Sequence, residues 1–98
     1  MLTRPQLEAA ARVLGAMAHP LRLGILQVLA DGEKTVTELY GKLDCSQPLM
    51  SQQLRLLEAQ NLVQARKEGA SRYYSIRNDD FLKLFACMEN HLRQYFRV

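Results

Sequence analysis

Two helical signals crowded into residues 35–60 constrain this chain more than any other feature. Thr35 and Glu38 stand at capping-box spacing, where a hydroxyl and a carboxylate each accept a backbone N–H at a helix start. Behind them Val36, Leu39, Tyr40 and Leu43 form the apolar face of a short helix. Asp44-Cys45 interrupts that pattern, and Ser46 followed by Gln47-Pro48 opens another. Serine is a strong N-cap, and proline is tolerated in a first turn, whose N–H groups have no intrahelical partner. The second helix runs to about Gln60, with Met50, Leu54 and Leu57 on its buried stripe. A short helix, a turn of a few residues and a sharply started second helix make a helix-turn-helix unit.

The flanks complete a domain around it. Thr3 and Gln6 form another capping box, with Pro5 in the tolerant first turn, and Leu7, Ala10, Ala11, Leu14, Met17 and Ala18 follow at helical intervals. His19-Pro20 breaks this helix and opens the next, where Leu21, Ile25, Val28 and Leu29 share a face and Arg22 and Gln27 lie off it, until Asp31-Gly32 stops it. Beyond Asn61 the period shortens. Residues 62–67 and 72–76 are rich in Val, Tyr and Ile around Glu68-Gly69-Ala70-Ser71, the pattern of a β-hairpin. Tyr73 and Tyr74 point to opposite faces, one to the core and the other to an interface. Asn78 caps a last helix, with Asp79 and Asp80 at its positive end and Arg93 and Arg97 near its negative end. The fold class is mainly α with a small β-hairpin: a winged helix-turn-helix of four helices, a two-stranded wing and a C-terminal helix, forming one domain over residues 1–98.

Composition narrows the function. A chain of 98 residues, 48% hydrophobic and 23% charged, fits a single globular domain with no separate catalytic unit. No apolar run approaches the roughly 18 residues that cross a bilayer. Residues 1–11 lack the apolar core and cleavage pattern of a signal peptide, so a cytoplasmic location and no membrane partner are expected. The net charge of +3 is modest, but Arg66, Lys67, Arg72 and Arg77 cluster around the hairpin, opposed there only by Glu68. There is no Gly-rich phosphate loop, no catalytic carboxylate pair and no Ser/Cys–His constellation, which excludes the enzyme classes these motifs serve.

Opposite the apolar stripe of the second helix of the motif lie Gln47, Ser51, Gln52 and Arg55, mostly in its N-terminal half. Such a face is either a solvated surface or a base-reading one. Gln matches adenine and Arg matches guanine through paired hydrogen bonds, and a recognition helix presents its early residues to the major groove of double-stranded DNA. Gln and Ser, in place of Glu/Lys pairs, favour base reading; Glu58 is the helix's only acid and lies beyond the proposed contacts. Lys67 and Arg72 flank the hairpin tip, where they would hold phosphates or the minor groove. A winged-helix module that binds protein is the alternative, but it needs neither a basic wing nor this polar face.

The last helix is more apolar than one small core can absorb. Phe81, Leu84, Phe85, Met88 and Leu92 recur at helical spacing, and Leu7 and Leu14 add to them from the first helix. A twofold homodimer through these helices covers them and sets two recognition helices on successive major grooves.

Ala18-His19-Pro20-Leu21-Arg22-Leu23, Ile25-Leu26, Thr37-Glu38-Leu39, Ser46-Gln47-Pro48 and Ser51-Gln52-Gln53-Leu54 resemble the ArsR/SmtB repressors. So do Leu57, Leu62-Val63, Arg66, Gly69, Arg72 and Tyr74, in order along nearly the whole chain. The resemblance implies a homodimeric repressor released from operator DNA by metals, metalloids or thiol chemistry. It also shows which effector sites are missing. Thr35 and Thr37 stand where the best-known metal site has cysteines, and Gln27 stands where a thiol-switch subgroup has one. Asp80 and His91 match two ligands of the family's second metal site, while Asn78 and Gln94 replace carboxylates. A transition metal such as zinc would therefore need Cys87 to join Asp80 and His91 from across the dyad. Two cysteines cannot build a disulfide framework. Cys45, near the positive end of the second helix of the motif, and Cys87 are either inert free thiols or redox-sensitive ones.

Overall fold

The computed structural model describes all 98 residues. Its elements are α1 (Arg4–Met17), α2 (Pro20–Leu29), β1 (Lys34–Thr35), α3 (Val36–Lys42), α4 (Gln47–Ala59), β2 (Val63–Glu68), β3 (Ser71–Ile76), a 3₁₀ turn (Asp79–Leu82) and α5 (Lys83–Tyr95). The strands form one antiparallel sheet in the order β1-β3-β2.

The helix starts follow the capping chemistry of the sequence. The Thr3 and Thr35 hydroxyls accept from the Gln6 and Glu38 amides at 3.3 and 3.2 Å, and each glutamine or glutamate oxygen accepts in return from its threonine N–H at 2.9 Å. Ser46 Oγ accepts from Leu49 N at 3.2 Å. His19 was not expected as a cap, yet its Nδ1 accepts from Leu21 N at 3.1 Å and starts α2 beside Pro20. Two helices stop on residues that tolerate the left-handed conformation, Asp44 (φ 52°) after α3 and Asn61 (φ 60°) after α4. Gly69 (φ 61°) serves the same need in the wing turn.

Eleven apolar residues form the core, drawn from α1 to α4, β2, β3 and Leu62 just before β2. From α4 come Met50, Leu54 and Leu57, all fully buried, as expected. Each such side chain contributes roughly 1.5–3 kcal/mol through burial. In α2 the buried face is Ile25, Leu26 and Leu29, while Leu21 and Val28 are only half-buried. That helix packs against both α4 and β3, which turns its inner face toward Leu26. Gly24 lies beside the end of α3, where an added Cβ would come within 3.1 Å of Leu43 Cδ2.

Three expectations need correction. The wing is joined by a third strand, because Lys34 and Thr35 pair with Tyr74 and Tyr73. Two residues are too few to show strand periodicity, and Thr35 serves both as strand end and as helix cap. Asn78 caps the 3₁₀ turn ahead of α5, its Oδ1 accepting from Asp80 N at 3.0 Å, so Asp79 and Asp80 precede the α-helix. Arg97 lies beyond the last helical residue, leaving Arg93 as the basic residue in the final turn of α5.

Candidate nucleic-acid interface

Helix α4 turns about 100° per residue. Pro48, Gln52 and Arg55 thus form the crest opposite the buried stripe, while Gln47, Ser51 and Glu58 form the flank beside it. Across from that flank stands the wing. Its strands alternate with period two, and the register pairs Val63 with Ile76, Ala65 with Tyr74 and Lys67 with Arg72. Lys67 and Arg72 thus continue the face that carries buried Val63 and Tyr74, reaching past the core on the inner side of the hairpin.

Between helix and wing runs a groove of about 540 Å³. Gln47, Ser51 and Arg55 line it from α4, Arg72 from β3, and Thr35 to Thr37 from the start of α3. Gln52 is exposed on the crest outside it, and Lys67 is exposed near the tip. Arg55, Lys67 and Arg72 take part in none of the five ion pairs, so their charge is free for an outside anion. The Arg72 guanidinium lies 5.9 Å from the Tyr74 ring centroid, over a residue anchored in the core.

The other wing cations differ from what the sequence suggested. Arg66 points to the outer face, where Glu33 and Glu68 both bind it. Their hydrogen bonds raise its pKa further, and the same guanidinium holds the Glu33 carboxyl below its ordinary range. Glu68 is thus not the only opposing acid: Glu33, far away in sequence, folds onto the hairpin. Glu58 also stands elsewhere than expected, since it lines the groove with Arg55 and Arg72. One helical turn past Arg55 carries it back to the flank that faces the wing. Thr37 and Ser71 join the groove as well; each neighbours a legible feature, but only the tertiary fold brings them together. Gln53 completes the buried stripe at 8% exposure, its Oε1 without a hydrogen-bond partner.

The apolar surface of α1 and α5 remains uncovered in the single chain. No residue of α5 is buried, and α1 buries only Met17. Phe81, Leu84 and Phe85 pack half-buried against the core edge, whereas Leu7, Leu14 and Met88 are 55%, 50% and 42% exposed. An apolar groove lined by Leu23, Leu84, Phe85, Met88 and Leu92 separates α2 from α5.

The thiols stand apart from this surface chemistry. Cys45 is half-buried against the core, its N–H donating to Tyr40 O at 3.3 Å, while Cys87 is exposed; neither is bonded to the other. Asp80, Cys87 and His91 do not gather into a metal-binding group within one chain. Asp80 pairs with Lys83 at 3.6 Å from the 3₁₀ turn, and the His91 ring rests 5.0 Å from that of Tyr95. Within one chain these donors do not fit the four-ligand shell that zinc takes. No helix is long and apolar enough to cross a membrane.

Residues 19–65, from the start of α2 into β2, match the model of the arsR family of bacterial regulatory proteins. The nodulation protein NolR of Rhizobium meliloti is 42% identical over 83 residues, spanning 85% of this chain and 68% of that protein. A transcriptional repressor SmtB homolog of Synechocystis sp. is 31% identical over 94 residues, spanning 96% and 71%. Among solved structures, the homodimeric winged helix-turn-helix DNA-binding domain of a possible ArsR-family transcriptional regulator from Mycobacterium bovis superposes with a TM-score of 0.81. It is 34% identical, covering 94% of this chain and 89% of that one.

Proposed function

The chain belongs to the arsR family of bacterial regulatory proteins, DNA-binding transcriptional regulators with a winged helix-turn-helix fold, and on that premise we propose that it acts as a homodimeric repressor at an inverted-repeat operator. The observation that carries this reading is the groove between α4 and the wing, lined by Gln47, Ser51, Arg55 and Arg72, whose two arginines enter no ion pair within the chain. In this reading α4, about 20 Å long, enters the major groove, which is about 12 Å wide. Gln52 and Arg55 on its crest meet base edges, and Gln47 and Ser51 on its flank meet bases or the nearer phosphates. Lys67 and Arg72 hold the phosphate backbone, fixing register without reading sequence.

The dimer follows from the uncovered apolar surface. Leu7 and Leu14 of α1, with Phe81, Leu84, Phe85, Met88 and Leu92 of the C-terminal segment, form the twofold contact. That contact sets the two α4 helices about 34–36 Å apart, one turn of DNA. The protein works in the cytoplasm, where its operator is. A protein-binding module of the same fold has no use for unpaired wing cations beside a Gln/Ser helix face.

Selection from a pool of genomic fragments at low salt, followed by footprinting, tests the proposal. An imperfect inverted repeat with half-sites about one helical turn apart is expected. No enrichment of any fragment, the protein's own promoter region included, would refute it.

A further inference from the structure

Arg66 is the wing cation that faces away from the proposed DNA surface, and three residues hold it: Glu33, Glu68 and Tyr73. Its Nε donates to both Glu33 carboxylate oxygens, at 3.1 and 3.0 Å, and its Nη1 donates to Glu68 Oε2 at 2.6 Å. Its guanidinium lies 4.5 Å from the centroid of Tyr73, its cross-strand partner. Glu33 belongs to the connection between α2 and β1, 33 residues from Arg66 in sequence.

The place of this cluster matters. Strand β1 supports β3 only at Tyr73 and Tyr74. The rungs beyond, Lys67 with Arg72 and Glu68 with Ser71, project without a third strand. Arg66 and Tyr73 form the last supported rung, so the cluster sits at the root of the projecting tip and ties it to the body. A lysine could match the charge there, but not the fork that binds two carboxylates while its plane stacks on a ring.

We propose that Glu33 and Arg66 form a clamp that sets the angle of the wing, making Arg66 a positioning residue for the phosphate contacts of Lys67 and Arg72. The inference rests on the assignment of the wing to the DNA backbone. It makes a counterintuitive demand: removing the negative charge of Glu33, which electrostatics alone would reward, must weaken DNA binding.

The test measures binding to a short mixed-sequence duplex by fluorescence anisotropy, across salt from roughly 50 to 200 mM. Wild type is compared with Arg66→Lys, Glu33→Gln, the Lys67→Ala/Arg72→Ala pair, and Arg66→Lys added to that pair, with melting temperatures alongside. Over that range each phosphate contact is worth roughly threefold in affinity. Arg66→Lys, which keeps the net charge, is expected to weaken binding roughly three- to tenfold and to flatten the salt slope. Glu33→Gln shifts both in the same direction, and Arg66→Lys adds nothing once Lys67 and Arg72 are gone. Tighter or unchanged binding by Glu33→Gln would overturn the clamp, as would a further loss from Arg66→Lys on the paired background, which would make Arg66 a phosphate contact itself. If Arg66→Lys fails to fold, Glu33→Gln decides alone. The wing assignment fails on a separate result, an unchanged salt slope in the Lys67→Ala/Arg72→Ala pair, and the clamp falls with it.

Discussion

Lys67 stands directly across the hairpin from Arg72, one rung before the turn and on the inner face of the wing. Like charges opposed across two strands destabilise a hairpin by about 0.2–1 kcal/mol. The pairing becomes favourable when an anion lies against both, as a DNA phosphate would. Lys67→Ala is therefore expected to leave the melting temperature unchanged or slightly raised while it weakens DNA binding. Its salt slope should flatten by about 0.9, the share of one phosphate contact. Calorimetry beside anisotropy checks both signs.

Within α4 the two faces separate stability from recognition. Leu54 is fully buried in the core, and Leu54→Ala is expected to cost about 2–5 kcal/mol of unfolding free energy. Gln52 is exposed on the crest, and Gln52→Ala should change stability by less than about 0.5 kcal/mol. Urea unfolding of the two variants measures the contrast.

The uncovered face of α5 makes the prediction for assembly. Met88 is 42% exposed in the single chain, so the protomer can accept Met88→Glu without burying a charge. A dimer contact cannot, because an unpaired carboxylate removed from water is costly. The variant is expected to sediment as a folded monomer with an unaltered helical circular dichroism signal. A wild-type protein that is itself monomeric at micromolar concentration would contradict the interface.

Acid should loosen the helix-turn-helix unit through its cap. The Glu38 carboxyl is held below its ordinary value of 4.5, first by the Thr35 backbone N–H and then by the Thr35 hydroxyl. A depressed folded pKa stabilises the native state in full above the unfolded value and loses that contribution as pH falls through the folded one. Stability from this source is thus flat above about pH 5 and declines below pH 4.5. Glu38→Gln should remove that part of the acid dependence, and Thr35→Ala should cost about 1 kcal/mol near neutral pH. Urea midpoints measured against pH show both effects.

Much of this architecture was legible because it is written in local chemistry. Capping boxes at Thr3 and Thr35, the Ser46 cap and the periodic Met50, Leu54 and Leu57 act within a few residues of one another. The hairpin was equally local, with Gly69 at its turn. What escaped was long-range. Glu33 has no nearby reason to bind Arg66, and β1 is too short for any period to register. The groove is composite too: Thr37, Glu58 and Ser71 lie on three separate elements, and only packing draws them together.

The most direct test of base reading by α4 is the ratio of operator to mixed-sequence affinity, measured at one salt concentration for wild type, Gln52→Ala, Arg55→Ala and Lys67→Ala. Loss of a base contact should cost about 1–3 kcal/mol of operator affinity and relax preference at one operator position. The ratio is therefore expected to collapse for Gln52→Ala and Arg55→Ala but to hold for Lys67→Ala, which weakens both duplexes alike. If both α4 variants keep the wild-type ratio, that face is merely solvated and the sequence is read elsewhere.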